Sequence, residues 1–152
     1  MTNSDILDTL EITAKLLELH DGDPNRVKAY STISYSLGKV LEPLASMSLK
    51  ELMGIQGVGK LVAQNILELV ETGQLKELNE LVLQTPDGLL DLFKIKGLGV
   101  KKIKVLWKEL GLDNLNDLQI ACENGLIATV KGFGIKTQDA ILASLAFLQS
   151  QA

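Results

Sequence analysis

The sequence predicts an all-α fold made of two small helical subdomains, and three observations lead to this prediction. No stretch of the chain alternates apolar and polar residues over the length of a strand. Apolar residues instead recur at the three- and four-residue spacing of an amphipathic helix. A five-residue phrase with two glycines occurs three times, each time between two helical patterns. The 46% hydrophobic and 22% charged residues are ordinary for a globular protein.

Five helices are expected in the first half of the chain. Ser4 is the predicted cap of a helix that runs to about Leu19, and Pro24 opens a second helix that runs to about Leu41. Three further helices are predicted over residues 49–53, 60–70 and 75–83, with Gly73 as a stop signal.

The second half is expected to begin at Thr85-Pro86-Asp87-Gly88, the strongest loop signal between helical patterns. This boundary divides the chain into residues 1–84 and 85–152. Helical patterns follow over residues 89–94, 101–110, 116–124, 126–129 and 138–148, with stops at Gly111 and Asn124-Gly125.

The repeated phrase reads aliphatic, polar, glycine, apolar, glycine. Its first glycine can adopt a positive φ and turn the chain sharply, and its second lets another backbone come close. Amides at the start of the following helix carry partial positive charge, which suits a phosphate, although a tight turn without a ligand is the simpler alternative. The apolar residue between the glycines is expected to point inward. The copies are Ile55-Gln-Gly-Val-Gly59, Ile95-Lys-Gly-Leu-Gly99 and Val130-Lys-Gly-Phe-Gly134.

The net charge of −4 argues mildly against a nucleic-acid partner, but its distribution along the chain is more informative. Residues 1–84 carry 7 basic and 12 acidic side chains, whereas residues 85–152 carry 8 and 7. Residues 94–108 contain six lysines and no acidic residue. Such a run is often only a solvated helix face. This one surrounds the second glycine phrase, which favours binding of an anion.

The three phrases have the pattern of the helix-hairpin-helix motif, and other segments extend the similarity. The sequence DPNRVKAY at residues 23–30 resembles the NPFRVRAY-type segment of bacterial family X DNA polymerases. GVGK at 57–60, followed by ETGQL at 71–75, resembles the first hairpin of that family and its ETGKL-type helix end. TPDGLL at 85–90 and IKGLG at 95–99 resemble the second hairpin. Residues 5–148 thus resemble the amino-terminal region of the family, and the chain ends at Ala152, before a palm domain would begin.

The resemblance implies non-sequence-specific DNA binding, through hairpin contacts to backbone phosphates at gaps or 5′-phosphate ends during repair. Residues 1–84 would be a lyase-like domain with the first hairpin, and residues 85–152 a fingers-like domain with the other two. The third hairpin is expected to serve packing more than DNA. The residues expected to contact DNA are Arg26, Lys28, Tyr30, Gly57, Gly59, Lys60, Lys96, Gly97, Gly99, Lys101, Lys102 and Lys104.

The resemblance also implies a monovalent cation, Na⁺ or K⁺, that bridges hairpin carbonyls to a DNA phosphate. No other cofactor is expected. The carbonyls would come from Met53, Ile55 and Val58 in the first hairpin, and from Phe93, Ile95 and Leu98 in the second.

Enzymatic activity is not expected from this chain. Nucleotidyl transfer needs paired carboxylates that hold two metal ions, whereas Asp21-Gly22-Asp23 is typical of a helix-capping turn. Lyases of the family form an imine through a lysine, and the matching position here is Asn65, whose amide cannot do so. Two alternatives stay open. One is a 5′-deoxyribose-phosphate lyase that uses Lys60, and the other is a protein-interaction module without DNA binding.

The sequence also bears on the compartment. The single cysteine, Cys122, excludes an internal disulfide and fits a reducing environment. The first residues contain no basic segment ahead of an apolar run, and the longest apolar stretch, residues 140–148, is too short to cross a bilayer. The sequence predicts a cytoplasmic protein without membrane association, whose partners are DNA and, as a second candidate, a protein.

Overall fold

Helices form all the regular structure between residues 1 and 151, the part of the chain that the computed structural model describes. The prediction of an all-α fold is confirmed. By the density of contacts the chain divides into two compact units. The first unit is Met1–Gln84, and the second begins at Thr85.

The first unit is organised around its long first helix. Helix α1 packs against α2, α3 and α6, and α4 packs against α5. Its core is aliphatic apart from Tyr30, and Leu10, Leu52 and Ile66 are fully buried. Burial of each such side chain contributes about 1.5–3 kcal/mol to stability. The elements are α1 (Asn3–Leu19), α2 (Pro24–Ser31), α3 (Ser34–Gly38), a 3₁₀ turn (Leu44–Ser46), α4 (Leu49–Met53), α5 (Lys60–Thr72) and α6 (Lys76–Leu83).

Helix α1 begins two residues earlier than the sequence predicts. Thr2, not Ser4, is its cap: the Asp5 N–H donates to the Thr2 hydroxyl at 3.1 Å, and the Thr2 N–H donates to the Asp5 carboxylate at 3.0 Å. This reciprocal pair satisfies two amides at once, which a cap at Ser4 would not do.

The single helix predicted from Pro24 to about Leu41 is in fact two helices. The Thr32 hydroxyl donates to the Lys28 carbonyl at 2.8 Å, so this side chain competes with the helical backbone where α2 ends. Ile33, which precedes α3, is fully buried in the core. The turn between the helices therefore follows from a hydroxyl-rich sequence and one buried aliphatic residue.

The second unit packs around its last helix. Helix α10 contacts α9 and the 3₁₀ turn before it, and α7 contacts α9. Leu92, Ile103 and Leu118 are fully buried, and Ile141 and Leu145 nearly so. Helix α10 begins at Gly134, ahead of the predicted residue 138. The elements are α7 (Leu89–Leu92), α8 (Val100–Leu110), α9 (Leu115–Glu123), a 3₁₀ turn (Ile127–Thr129) and α10 (Gly134–Ser150).

Candidate nucleic-acid interface

The first glycine phrase forms a tight turn between α4 and α5. Gly57 has a φ of +85°, in the left-handed region where a side chain is strained. Val58 points into the core with 5% of its surface exposed, and its N–H donates to the Ile55 carbonyl at 3.0 Å. Gly59 is extended, with φ −88° and ψ −177°, and stands at the N-cap of α5. The turn predicted from the sequence is confirmed.

The second glycine phrase repeats this geometry between α7 and α8. Gly97 has a φ of +90°, and Leu98 is 6% exposed. The Leu98 N–H donates to the Ile95 carbonyl at 3.2 Å. Gly99 is extended, with φ −83° and ψ 175°, and is the N-cap of α8. Two separate hairpins therefore present a helix N-terminus in the same way.

Helices α5 and α8 are the two described helices that begin at a glycine N-cap in the extended conformation, and like α3, α6, α7 and α10 they lack a side-chain cap. Side-chain oxygens cap α1, α2, α4 and α9, and they belong to Thr2, Asp23, Ser48 and Asn114. At α5 and α8 the N-cap is glycine, no side chain accepts from the first amides, and the first turn contains no acidic residue. These amides and the positive end of the helix dipole are left to bind an anion.

Both uncapped N-termini are open to approach. A Cβ built on Gly59 or Gly99 would meet no atom within 4 Å. Lys60 follows the first of these glycines and Lys101 lies in the first turn after the second, and both side chains are exposed. Among the described residues, neither lysine forms a salt bridge. Each hairpin thus joins free amides to a nearby ammonium group.

Several of the six lysines in residues 94–108 have other contacts. Lys94 pairs with Asp91 at 3.2 Å, and the Lys108 ammonium lies 3.9 Å from the centroid of the Trp107 ring. The Lys102 ammonium lies 5.6 Å from the ring centroid of Phe133, in the third glycine phrase. The six lysines of this run therefore do not form a single uninterrupted binding surface.

The third glycine phrase forms a different turn. Gly132 has a φ of +88° and Phe133 is 7% exposed, as in the other two hairpins. Gly134, however, has a φ of +72°, and the N-cap of α10 is Phe133 rather than an extended glycine. The side chain of Gln138, which is largely buried, accepts from the Ala128 N–H at 2.9 Å and ties α10 to the preceding 3₁₀ turn. This copy has the features of a packing element.

The carbonyls predicted to hold a cation lie in the two equivalent turns. In the first hairpin the Ile55 carbonyl already accepts one hydrogen bond, from Val58, and keeps a second lone pair. Within residues 1–151, no hydrogen bond to the carbonyls of Met53 or Val58 is found. This set of neutral oxygens fits a hard monovalent cation. The corresponding carbonyls of Phe93, Ile95 and Leu98 follow the same backbone path.

Arg26 and Tyr30, predicted to contact DNA, lie in a polar cluster of the first unit. Arg26 forms a salt bridge with Glu77 of α6, and the Asn65 side-chain amide donates to the Tyr30 hydroxyl. Tyr30 is fully buried. Burial, together with the negative charge of Glu77, raises the pKa of Tyr30 to about 12. Lys28, the third predicted residue of this segment, is exposed.

Nothing in the sequence pattern indicates the part that Glu77 plays. It stands in the first turn of α6, where an acidic residue is already explained by the helix dipole. In the fold its Oε2 accepts from Arg26, 51 positions away, while its Oε1 is buried without a hydrogen-bond partner. A phosphate that binds Arg26 would have to compete with this carboxylate.

Comparison with known proteins identifies the relatives of this chain. The family described as "Helix-hairpin-helix domain" matches residues 1–75, and "SAM-like Helix-hairpin-helix tandem" matches residues 89–146. The chain is 34% identical over 145 residues, 95% of its length, to "DNA polymerase/3'-5' exonuclease PolX" of Bacillus subtilis (strain 168). It is also 30% identical over 118 residues, 77% of its length, to "DNA polymerase lambda" of Rattus norvegicus.

The chain is homologous to the amino-terminal region of family X DNA polymerases. It spans 25% of the Bacillus relative and 20% of the rat relative, within the part that precedes the palm. The two uncapped hairpins lie one in each matched helix-hairpin-helix region of this family X segment. None of the helices between residues 1 and 151 has the length and apolar character needed to cross a membrane.

Proposed function

We propose that this chain is a non-sequence-specific DNA-binding module of the cytoplasm that acts in DNA repair. One observation supports this most directly: α5 and α8 each begin at an exposed glycine N-cap without a polar cap and without an acidic first turn. Each of these N-termini has a lysine beside it, Lys60 or Lys101. Homology to the amino-terminal region of DNA polymerases supports the same function.

The binding mechanism follows from the two hairpins. A backbone phosphate would accept hydrogen bonds from the first amides of α5 or α8, with the helix dipole favouring its negative charge. Lysines around the second hairpin, Lys96, Lys101, Lys102 and Lys104, would add charge without reading bases. Phosphates are alike in every sequence, so such contacts position the protein but do not specify a site.

A monovalent cation is part of this proposal. The carbonyl oxygens of Met53, Ile55 and Val58 would hold Na⁺ or K⁺ at the first hairpin, and those of Phe93, Ile95 and Leu98 at the second. A cation there would neutralise charge on the bound phosphate. Replacing K⁺ with a bulky organic cation at constant ionic strength should then weaken DNA binding.

The two units would have different roles on DNA. We propose that residues 1–84 are lyase-like and face a gap or a 5′-phosphate end through Arg26 and Lys28, while the buried Tyr30 supports this segment from the core. Residues 85–152 would be fingers-like. We further propose that this chain is not an enzyme, because Asn65 stands where the resemblance places the lysine nucleophile.

Fluorescence anisotropy tests the proposal. The substrates are single-stranded, duplex, nicked and 5′-phosphorylated gapped DNA, with duplexes of two unrelated sequences, each at several salt concentrations. We expect Kd values in the micromolar range that are equal for the two sequences. The slope of log K against log salt should correspond to about three to five phosphates. Absence of binding at low salt, or a strong preference for one sequence, would contradict the proposal.

A protein-interaction module is the second candidate. It is favoured by large apolar side chains on the first unit that contact water: Leu41 is 93% exposed and Leu83 is 87% exposed. If DNA binding is absent, a change of Leu83 to Ser that abolishes association with a protein partner would support this function instead.

A further inference from the structure

A cleft of about 200 Å³ lies between the second hairpin and helix α10. Lys96, Gly97 and Lys102 line it on the hairpin side, and Lys136 and Thr137 line it on the side of α10. Its lining contains three lysines and no acidic residue. The cleft therefore brings together charge from the second and third glycine phrases, which are separate in the sequence.

The electrostatics of this cleft favour an anion. Among the described residues, no carboxylate forms a salt bridge with Lys96, Lys102 or Lys136. Asp139, the acidic residue nearest to Lys136 in the chain, does not line the cleft. The positive charges of three lysines that line one small cleft repel one another, and a bound anion would relieve that repulsion.

The walls of the cleft are joined before any ligand arrives. The Lys96 backbone N–H donates to the Ser144 hydroxyl at 3.2 Å, which fixes the second hairpin to α10. The Lys102 side chain lies near the ring of Phe133, which is itself buried. The volume is below the roughly 300 Å³ at which pockets for drug-sized ligands begin, so it suits one tetrahedral anion and a few waters.

We propose that the cleft formed by Lys96, Lys102 and Lys136 binds one DNA phosphate, in addition to the phosphates held by the hairpin amides. The proposal rests on the DNA-binding function proposed above. It assigns a DNA contact to Lys136 and to the Thr137 hydroxyl, which follow the third glycine phrase. That phrase then contributes to binding even though its own turn lacks the open N-cap of the other two.

The test compares Lys136→Gln with Lys131→Gln. Both lysines are exposed and near the third phrase, and both substitutions remove one charge, but only Lys136 lines the cleft. We expect Lys136→Gln to weaken duplex binding about two- to fivefold, as for one exposed ion pair. It should also lower the salt slope by about one unit. Lys131→Gln should leave that slope unchanged, and both variants should keep the wild-type melting temperature.

Two further measurements decide the source of the phosphate and separate this proposal from the general function. The first measurement compares duplexes that have 5′-phosphate ends with duplexes that have 5′-hydroxyl ends. If Lys136→Gln weakens binding only to the 5′-phosphate duplex, the cleft binds a terminal phosphate. If it weakens binding to both equally, the cleft binds an internal phosphate. Inorganic phosphate should shift the NMR amide signals of Gly97 and Thr137 in wild type but not in Lys136→Gln. If Lys136→Gln binds DNA with the same affinity and the same salt slope as wild type, the cleft does not bind a DNA phosphate. The proposed DNA-binding function would not be affected by that result.

Discussion

The side-chain amide of Asn65 on α5 donates a hydrogen bond to the hydroxyl of Tyr30 on α2, which is fully buried. By resemblance, Asn65 stands where family X lyases have the lysine that forms an imine. An amide nitrogen is not a nucleophile at a sugar carbonyl, because its lone pair is delocalised. The candidate catalytic position is therefore occupied by a residue that stabilises the packing of α2 on α5.

This relationship predicts that the protein lacks lyase activity. DNA with an opened abasic sugar, treated with borohydride in the presence of the protein, should give no covalent adduct on a denaturing gel. A known lyase run in parallel serves as the positive control. Efficient trapping by wild type that disappears in Lys60→Ala would show that Lys60 supplies the amine, and the lyase alternative would then stand.

The buried Tyr30 predicts a stability change in alkaline solution. Its pKa in the folded protein is about 12, above the ordinary value of 10.0 that applies to the unfolded chain. The unfolded state therefore loses its proton first, so the contribution of Tyr30 to stability is complete below pH 10 and is lost as the pH rises to about 12. Urea unfolding at several pH values measures this loss.

The matched control is Tyr30→Phe, which removes the ionisation and should give a flatter dependence over the same pH window. Titration of tyrosinate absorbance in Tyr35→Phe, where Tyr30 is the remaining tyrosine, gives the pKa directly. A midpoint near 10 in the folded protein would contradict this account of the cluster.

The two glycines of the second hairpin should separate stability from binding. Gly97 has a φ of +90°, so Gly97→Ala should lower the free energy of unfolding by about 1–2 kcal/mol. Gly99 is extended and has open space at its Cβ position, so Gly99→Ala should cost less than about 1 kcal/mol. Thermal unfolding measures both.

For DNA binding the order of the two glycines should be reversed, with Gly99 more important than Gly97. The methyl group added in Gly99→Ala would lie between the first amides of α8 and a phosphate, so affinity should fall although the protein stays folded. Gly59→Ala should act in the same way at α5. If Gly99→Ala binds duplex DNA as wild type does, the second hairpin is a turn without a ligand, and the protein-interaction function gains support.

Replacing Lys101, Lys102 and Lys104 together with Gln should reduce affinity for all DNA sequences alike. Each phosphate contact that is lost should lower the salt slope by about one unit. A triple variant of Lys15, Lys39 and Lys76, all in the first unit, changes the net charge equally and serves as the control. Equal binding by the two triple variants would exclude a specific contact by the second hairpin.

Much of the fold and of the hairpin site could be predicted from the sequence. The turns at Gly57 and Gly97 and the inward positions of Val58 and Leu98 depend on residues close together in the chain, and all four predictions are confirmed. Asp23 also caps α2, as the helix-capping turn required, because its side chain accepts from the Asn25 N–H at 2.9 Å. The predicted helix ends were less accurate, because hydrogen bonds of the Thr2 and Thr32 side chains determine where α1 begins and where α2 ends.

The sequence by itself determined the helical class, the repeated hairpins and the glycine N-caps, because periodicity, turns and caps are set within a few residues of chain. Only the tertiary structure decided which polar groups meet. Arg26 reaches Glu77 across 51 positions, and the Lys96 amide reaches Ser144 across 48. Such contacts arise when aliphatic faces pack and bring distant side chains together. No local pattern encodes them, because the same side chains could equally well have faced water.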